Sequence, residues 1–387
     1  MGLQYLGIRP TRSLYSTFWN KSVKLMDLLV SSVQNDQSHT VGTESFISTR
    51  ELDGLLIRFA LDNAGLSILG RDLNTLQGQE SELTSLFEML TNSSFSKRLY
   101  FGLIDIFPRW IVRRLPLKAI QKNSGALDRL QVLCKRFVDE KRVQPVDEAT
   151  QPRDVVSNLI QWEQFSPEEL AFYVFMYLLL GLLWTIYLLA KNRETQSQLR
   201  KEIRARIPSG AAATYTDDAI RRVIENTPLL DAVCSESVRL YPALQRVVRI
   251  ASKDSQILGT AIPKGTMILL TPWVINRSPY LWGADAEEFN AYRWIDSKTG
   301  AFTHRGGAVQ DHCMMSFGQG QTACVGKEYG LAEMKVFIAV LLSTFDIELV
   351  EPAKAVFPDS IGPHKPVDDI KLRLKKTRMF LMLIIRL

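Results

Sequence analysis

Four cysteines in 387 residues are too few, and too irregularly spaced, for a disulfide framework. Cys134, Cys234, Cys313 and Cys324 show no paired metal spacing, and His312 next to Cys313 does not make a zinc site. That usage points to a reducing compartment. No dense Lys/Arg run accompanies the net charge of +6, which argues against nucleic acid as a partner. A mildly basic surface suits an acidic partner or an anionic membrane. The opening MGLQYLGIRPTRS has no apolar core of a signal peptide. Leu6 stands where a myristoylation signal beginning at Gly2 needs Ser or Thr. Internal repeats and low-complexity tracts are absent.

Charge is missing from one long stretch. From Leu170 to Ala190 there is no charged residue, while Glu168, Glu169, Lys191 and Arg193 flank it. Twenty-one such residues are long enough to cross a bilayer. They equally suit a central helix buried on all sides in a large core. The start is a helix signal, Ser166-Pro167-Glu168-Glu169, with Pro in the first turn beside two acids.

With 46% hydrophobic and 23% charged residues, the chain can bury a sizeable core. Apolar spacing predicts helices over 13–33, 49–69, 81–90, 125–141, 191–207 and 219–240. Polar loops are expected at 34–45 and 142–154, the second carrying Pro145 and Pro152. Ile262-Pro263-Lys264-Gly265-Thr266 reads as a hairpin turn leading into a strand and a short helix.

The densest signal is SFGQGQTACVGKEYG, residues 316–330. Phe317, Gly320, Cys324 and Gly326 give the spacing F-x-x-G-x-x-x-C-x-G, and a helical pattern follows at once. A thiolate at the mouth of a helix is stabilised by the dipole and by free N–H groups. Glycines allow a tight turn and close approach to a flat macrocycle. Phe317 would shield the sulfur from water. This layout suits thiolate ligation of a heme iron; the alternative is a buried structural cysteine in a Gly-rich turn. Upstream, Glu236 and Arg239 lie at i and i+3 on one helix face, in LLDAVCSESVRLYPAL. A surface ion pair of this kind contributes little, but the apolar flanks argue for burial.

Together these stretches resemble the cytochromes P-450, and in particular the fungal microsomal-type members. The resemblance implies a mainly α fold with a smaller β part, in one domain over 1–387. Its parts would be an N-terminal helical region (1–165), a central helix region (166–207), and a core with the E-x-x-R helix, meander and heme loop (208–387). It implies heme b (iron protoporphyrin IX) with Cys324 as axial ligand, and Phe317, Gly320 and Gly326 shaping the loop. FNAYRW, residues 289–294, is similar to the family's F-x-P-x-R-[FW], with Ala291 in place of proline. Arg293 would then complete a buried triad with Glu236 and Arg239, which holds the loop and does no chemistry. Arg249 matches an arginine that reaches a heme propionate; a strand arginine facing solvent is the equal alternative.

Three departures from the family pattern matter. The central helix lacks the acid-alcohol pair of A-G-x-[DE]-T-T; MYLLLG runs directly into LLWTIYLLAKN, about seven residues or two turns short. Only Thr185 or a tyrosine hydroxyl is left there to relay protons. Thr322 replaces the basic residue two before the cysteine, at a cost to heme retention of roughly 1.5–3 kcal/mol. The N-terminal anchor and first helices have no counterpart, so the resemblance implies an N-terminally truncated product.

The implied activity is monooxygenation of an apolar small molecule, a lipid or secondary metabolite. Electrons would come from NADPH through NADPH-cytochrome P-450 reductase, at the cytosolic face of the endoplasmic reticulum membrane. The alternatives are a catalytically impaired family member that binds heme weakly or not at all, and a protein with a span at 170–190. The resemblance favours the buried helix over the span.

Overall fold

The structure is a computed structural model of the whole chain. It describes residues 11–35, 44–68, 70–79, 82–91, 95–107, 109–143, 181–207, 216–320, 323–324, 326–354, 356–359 and 365–377. The first half is helical. Helices α1 (Tyr15–Asn35), α2 (Thr49–Ile68), α3 (Glu82–Thr91), α4 (Phe95–Ile106), α5 (Arg109–Arg113) and α6 (Lys118–Val143) run through it, with strand β1 (Glu44–Ser48) before α2. The predicted helix at 125–141 begins seven residues earlier, at Lys118. Ile120, fully buried beside Tyr100 and Val112, draws that extra turn into the fold. Packing decides such ends more than propensity does.

The central segment continues as α7 (181–191) and α8 (Arg193–Arg206). Leu170 to Leu180, the first half of the apolar stretch, lie outside the described residues. Among the described residues no helix is long and apolar enough to cross a membrane. The helix expected over 219–240 is two helices, α9 (Asp217–Glu225) and α10 (Pro228–Leu240). Pro228 causes the break: it has no N–H for the ladder and its ring crowds the preceding turn. Pro228 occupies the first turn of α10, where that loss is harmless.

Short strands follow: β2 (Val247–Ile250), β3 (Ser255–Ile257), β4 (Thr260–Ile262) and β5 (Met267–Leu270). The turn at 263–265 is present, with Thr266 N–H donating to Pro263 O and Gly265 at φ +86°. It is not a hairpin, however. β4 pairs with β3, and β5 pairs with β2, so the turn joins two separate ribbons. Two single-turn helices, α11 (Pro272–Ile275) and α12 (Pro279–Trp282), lead through a 3-10 turn at Ala291–Trp294 to the cysteine loop.

The last helix, α13 (Lys327–Thr344), forms the axis of the core. From Ala332 to Thr344 every residue but Lys335 is buried. A helix apolar all round must be surrounded, and this one is. Phe18 of α1 meets Tyr329 edge-on at 5.1 Å, and Phe59 of α2 meets Phe337 at 5.2 Å. Strands β6 (Phe345–Leu349) and β7 (Lys371–Lys376) follow it, and β1 pairs on the other side of β7, all antiparallel. Alternation along β7 turns Leu372 and Leu374 into the core and its lysines outward. α13 therefore leaves Cys324, three residues before its start, at one end of a rigid axis.

Candidate functional site

The loop before α13 is held by its own backbone. Cys324 N–H donates to Phe317 O at 2.7 Å, and Ala323 N–H to Gly320 O at 3.1 Å. Gly318 and Gly320 have φ of +68° and +69°, a region that L side chains avoid. Open space lies where a side chain on Gly320 would be. Gly326 caps α13 and is buried. Gln321, Thr322 and Val325 lie outside the described residues, Thr322 being the position where the family has a basic residue.

Cys324 is half-buried and in no disulfide. Burial pushes its thiol up from the ordinary value, while the Gly326 N–H and the Lys327 ammonium pull it down. The two stabilising influences expected at a helix mouth are thus present but are outweighed in the protein alone. A half-exposed sulfur on a glycine-lined loop, with open space at Gly320, fits the axial position of a heme. One thiolate without further ligand side chains is the donor set such an iron needs. Among the described residues there is no cluster of His, Cys, Asp and Glu able to hold a bare metal ion.

Behind the loop, Glu236 is fully buried and accepts five hydrogen bonds. Arg239 gives two, at 2.7 and 2.8 Å; Arg293 Nε, Trp294 Nε1 and the Asn290 backbone give the others, at 3.1, 2.9 and 2.9 Å. Arg239, also fully buried, donates to the carbonyls of Asn276, Ala286 and Glu288. Arg293 reaches Asp285 and the Trp282 carbonyl. This degree of pairing is what makes a buried ionic cluster tolerable. Trp294 is wedged between Trp282 and Phe302, with ring centroids 5.9 and 6.0 Å away. Gly306, at φ +56°, gives it room: a Cβ there would sit 2.7 Å from the indole.

Sequence reasoning missed the connection between this cluster and the loop. Asn276 makes it: its Nδ2 donates to Arg239 O (2.9 Å) and Ser316 Oγ (2.8 Å), and its Oδ1 accepts from Met315 N–H (2.9 Å). Ser316 in turn donates to Val238 O at 2.6 Å. The only sequence signal was an Asn among apolar residues in VINRSPY. Trp294 was in view as a motif position, but not as a donor to Glu236.

Arg249 lies exposed on β2, opposite Ile268, and donates to its neighbour's carbonyl at Val248. On the other flank, Trp184 of α7 stacks on Tyr241 at 3.8 Å, and Arg277 caps the ring of Trp273. Burial lowers Arg277 to about 10. Thr185 is fully buried; its hydroxyl donates to Gly181 O at 2.6 Å and lies 3.7 Å from Met334 Sδ. Tyr187 packs edge-on against Trp184, and its phenol is raised by burial. Of the hydroxyls expected as a relay, that of Thr185 is therefore spent on its own helix. A cavity of about 880 Å³ opens on the Phe317 side of the loop, but Cys324 does not line it.

The family model described as Cytochrome P450 matches residues 12–364. The chain is 29% identical over 371 residues to cytochrome P450 monooxygenase ptmK of Penicillium ochrochloron, covering 94% of this chain and 71% of that protein. It is 30% identical over 360 residues to cytochrome P450 monooxygenase sphH of Aspergillus fumigatus, covering 89% and 63%. Cytochrome P450 monooxygenase buaD of Petromyces alliaceus is 27% identical over 348 residues, covering 87% and 63%. The chain thus spans about two thirds of the length of these relatives. A match over nearly all of the chain, joined to a cysteine loop anchored on a buried Glu–Arg–Arg cluster, has one explanation in descent: the chain belongs to the cytochrome P450 family.

Proposed function

We propose that the protein is a heme-thiolate oxidoreductase acting on an apolar small molecule, with Cys324 as the axial ligand of heme b, the family's cofactor. The observation that carries the reading is the half-exposed Cys324 sulfur on a glycine-cradled loop, itself tied through Ser316 and Asn276 to the buried cluster. When bound, the heme supplies the activation of dioxygen from which one oxygen atom is transferred. Electrons come from NADPH through a flavoprotein reductase. Exposed Lys327 at the start of α13 offers an acidic docking partner a cation near the loop.

The residues of the chain do the rest. Cys324 presents the sulfur, with Gly326 N–H and Lys327 favouring its anionic form against burial. Phe317 packs against the core and keeps water from the loop. Gly320 leaves space for the macrocycle. Arg249, exposed on β2, is the residue that the family resemblance assigns to a heme propionate. Glu236, Arg239 and Arg293 hold the scaffold and move no protons. A secondary-metabolite or lipid substrate and the endoplasmic reticulum surface as the site of action are what the family resemblance implies.

A second reading rests on Thr185. Its hydroxyl is bonded to Gly181 O, so the one threonine in the described half of the central helix is committed to its own helix. A heme-binding protein with weak or no turnover fits that geometry. The test begins with the absorption spectrum of the dithionite-reduced protein under carbon monoxide. A strongly red-shifted Soret band that disappears in Cys324→Ala is expected. A protein without heme, or a Cys324→Ala variant with an unchanged band, would overturn the assignment.

A further inference from the structure

Nine residues after Cys324, α13 buries an acid that has no counter-ion among the described residues. Glu333 is 1% exposed. Its Oε1 accepts from Asn63 Nδ2 of α2 at 2.6 Å, the one hydrogen bond of its carboxyl among the described residues. The same asparagine has a problem of its own: Oδ1 is buried and has no partner among the described residues. A buried acceptor left unpaired is costly, and so is a buried carboxylate without a cation. One proton removes both difficulties. A carboxylic acid has an O–H to give, and the neighbouring amide has an oxygen with nothing to accept.

We propose that Glu333 is held as a neutral carboxylic acid, joined to Asn63 by a pair of hydrogen bonds. Asn63 Nδ2–H donates to Oε1, and the Glu333 O–H donates to Asn63 Oδ1. The pair fastens α13 to α2 in the middle of the core. One turn earlier, Tyr329 shares a hydrogen bond with Ser67 Oγ at 2.7 Å, again between α13 and α2, and Ser67 donates back to Asn63 O. Glu333 is therefore a positioning residue: it sets the helix whose N-terminal end presents Cys324. That last consequence rests on the heme-thiolate reading; the acid–amide pair does not.

The surroundings agree. On α13 itself Glu333 helps to raise the Tyr329 phenol. Of the charges on the elements packed around α13, Asp27 of α1 and Arg204 of α8 keep buried atoms with no hydrogen-bond partner among the described residues, but only burial and Asn63 shift Glu333; others are paired. Lys21 of α1 pairs with Asp62 of α2 and with Asp72. Arg200 of α8 pairs with Asp346, Glu225 of α9 with Arg12, and Asp231 of α10 with Lys335. Burial raises Glu333 to about 8, with only the Asn63 hydrogen bond opposing it.

The sign of the pH effect follows. The unfolded chain releases this proton near 4.5 and the folded chain near 8. Between those values the folded state holds one proton more, so stability falls as pH rises, by up to about tenfold in the unfolding constant per pH unit. Glu333→Gln keeps an amide donor and acceptor facing Asn63 and removes the proton. Urea unfolding of wild type and Glu333→Gln from about pH 5 to 8 is expected to give diverging curves, wild type losing ground as pH rises. Parallel curves would overturn the proposal. Infrared pH-difference spectra provide a second measurement that needs no variant: a carboxylic acid C=O band persisting at pH 7 and lost near pH 8 is expected. Its absence overturns the pair even where Glu333→Gln does not fold. Neither readout requires heme, so a protein that failed to bind heme would leave this result standing. In heme-loaded protein, the red-shifted carbon monoxide band of wild type should give way to the shorter-wavelength form as pH passes about 8, and Glu333→Gln should move that transition.

Discussion

Asn276 donates from Nδ2 to Ser316 Oγ at 2.8 Å, and through this bond the loop carrying Cys324 is tied to the helix carrying Glu236 and Arg239. Neither residue has chemistry of its own. Their hydrogen bonds turn a buried ionic cluster into a fixed seat for the loop.

Asn276→Ala breaks that tie. It leaves Ser316 Oγ without its donor, Met315 N–H without its acceptor, and Arg239 O without the amide. The expected loss is about 1–3 kcal/mol for the unsatisfied groups. The loss should also appear as a larger share of the shorter-wavelength carbon monoxide band in heme-loaded protein. A variant destabilised in urea but spectrally identical to wild type would show that Asn276 supports the fold without setting the loop.

Glu236→Ala leaves Arg239 with no carboxylate and Arg293 with only half-exposed Asp285. Breaking a buried pair in this way costs roughly 3–5 kcal/mol. Poor recovery of folded protein is expected, together with loss of protection at the Trp294 indole N–H in hydrogen exchange. A well-folded variant within about 1 kcal/mol of wild type, the range of a surface ion pair, would contradict the account of the cluster.

Thr185→Ala should change little. The hydroxyl's proton already goes to Gly181 O. With a flavoprotein reductase and NADPH supplied, oxygen consumption per heme is expected to stay within about twofold of wild type. A proton-relay role would instead cost on the order of a hundredfold.

Removing the ligand itself is the sharpest perturbation. Cys324→Ala should abolish the red-shifted band while leaving the urea midpoint of the heme-free protein nearly unchanged, because the half-buried thiol is not part of the core. A large drop in the heme-free midpoint would favour a structural role for the cysteine.

What could be read from the chain alone were features with local spacing. Phe317, Gly320, Cys324 and Gly326 lie within ten residues, and Glu236 and Arg239 share one helix face, so neither needs a partner to be recognised. Arg293 followed from a short motif. The amphipathic helices were legible for the same reason, and Pro228 carried the signal for the break that the continuous reading of 219–240 passed over. Tertiary structure decided what depends on residues far apart. Asn276 meets Ser316 across 40 positions, and Asn63 meets Glu333 across 270. The pairing of β4 with β3 and of β5 with β2 was likewise a matter of which strands met. Sequence determined which groups the chain carries and the local geometry that presents Cys324. Folding determined which of those groups lose water and whom they then face. For Glu333 that alone separates a surface carboxylate from a buried acid, since burial penalises the charge that water would otherwise hold.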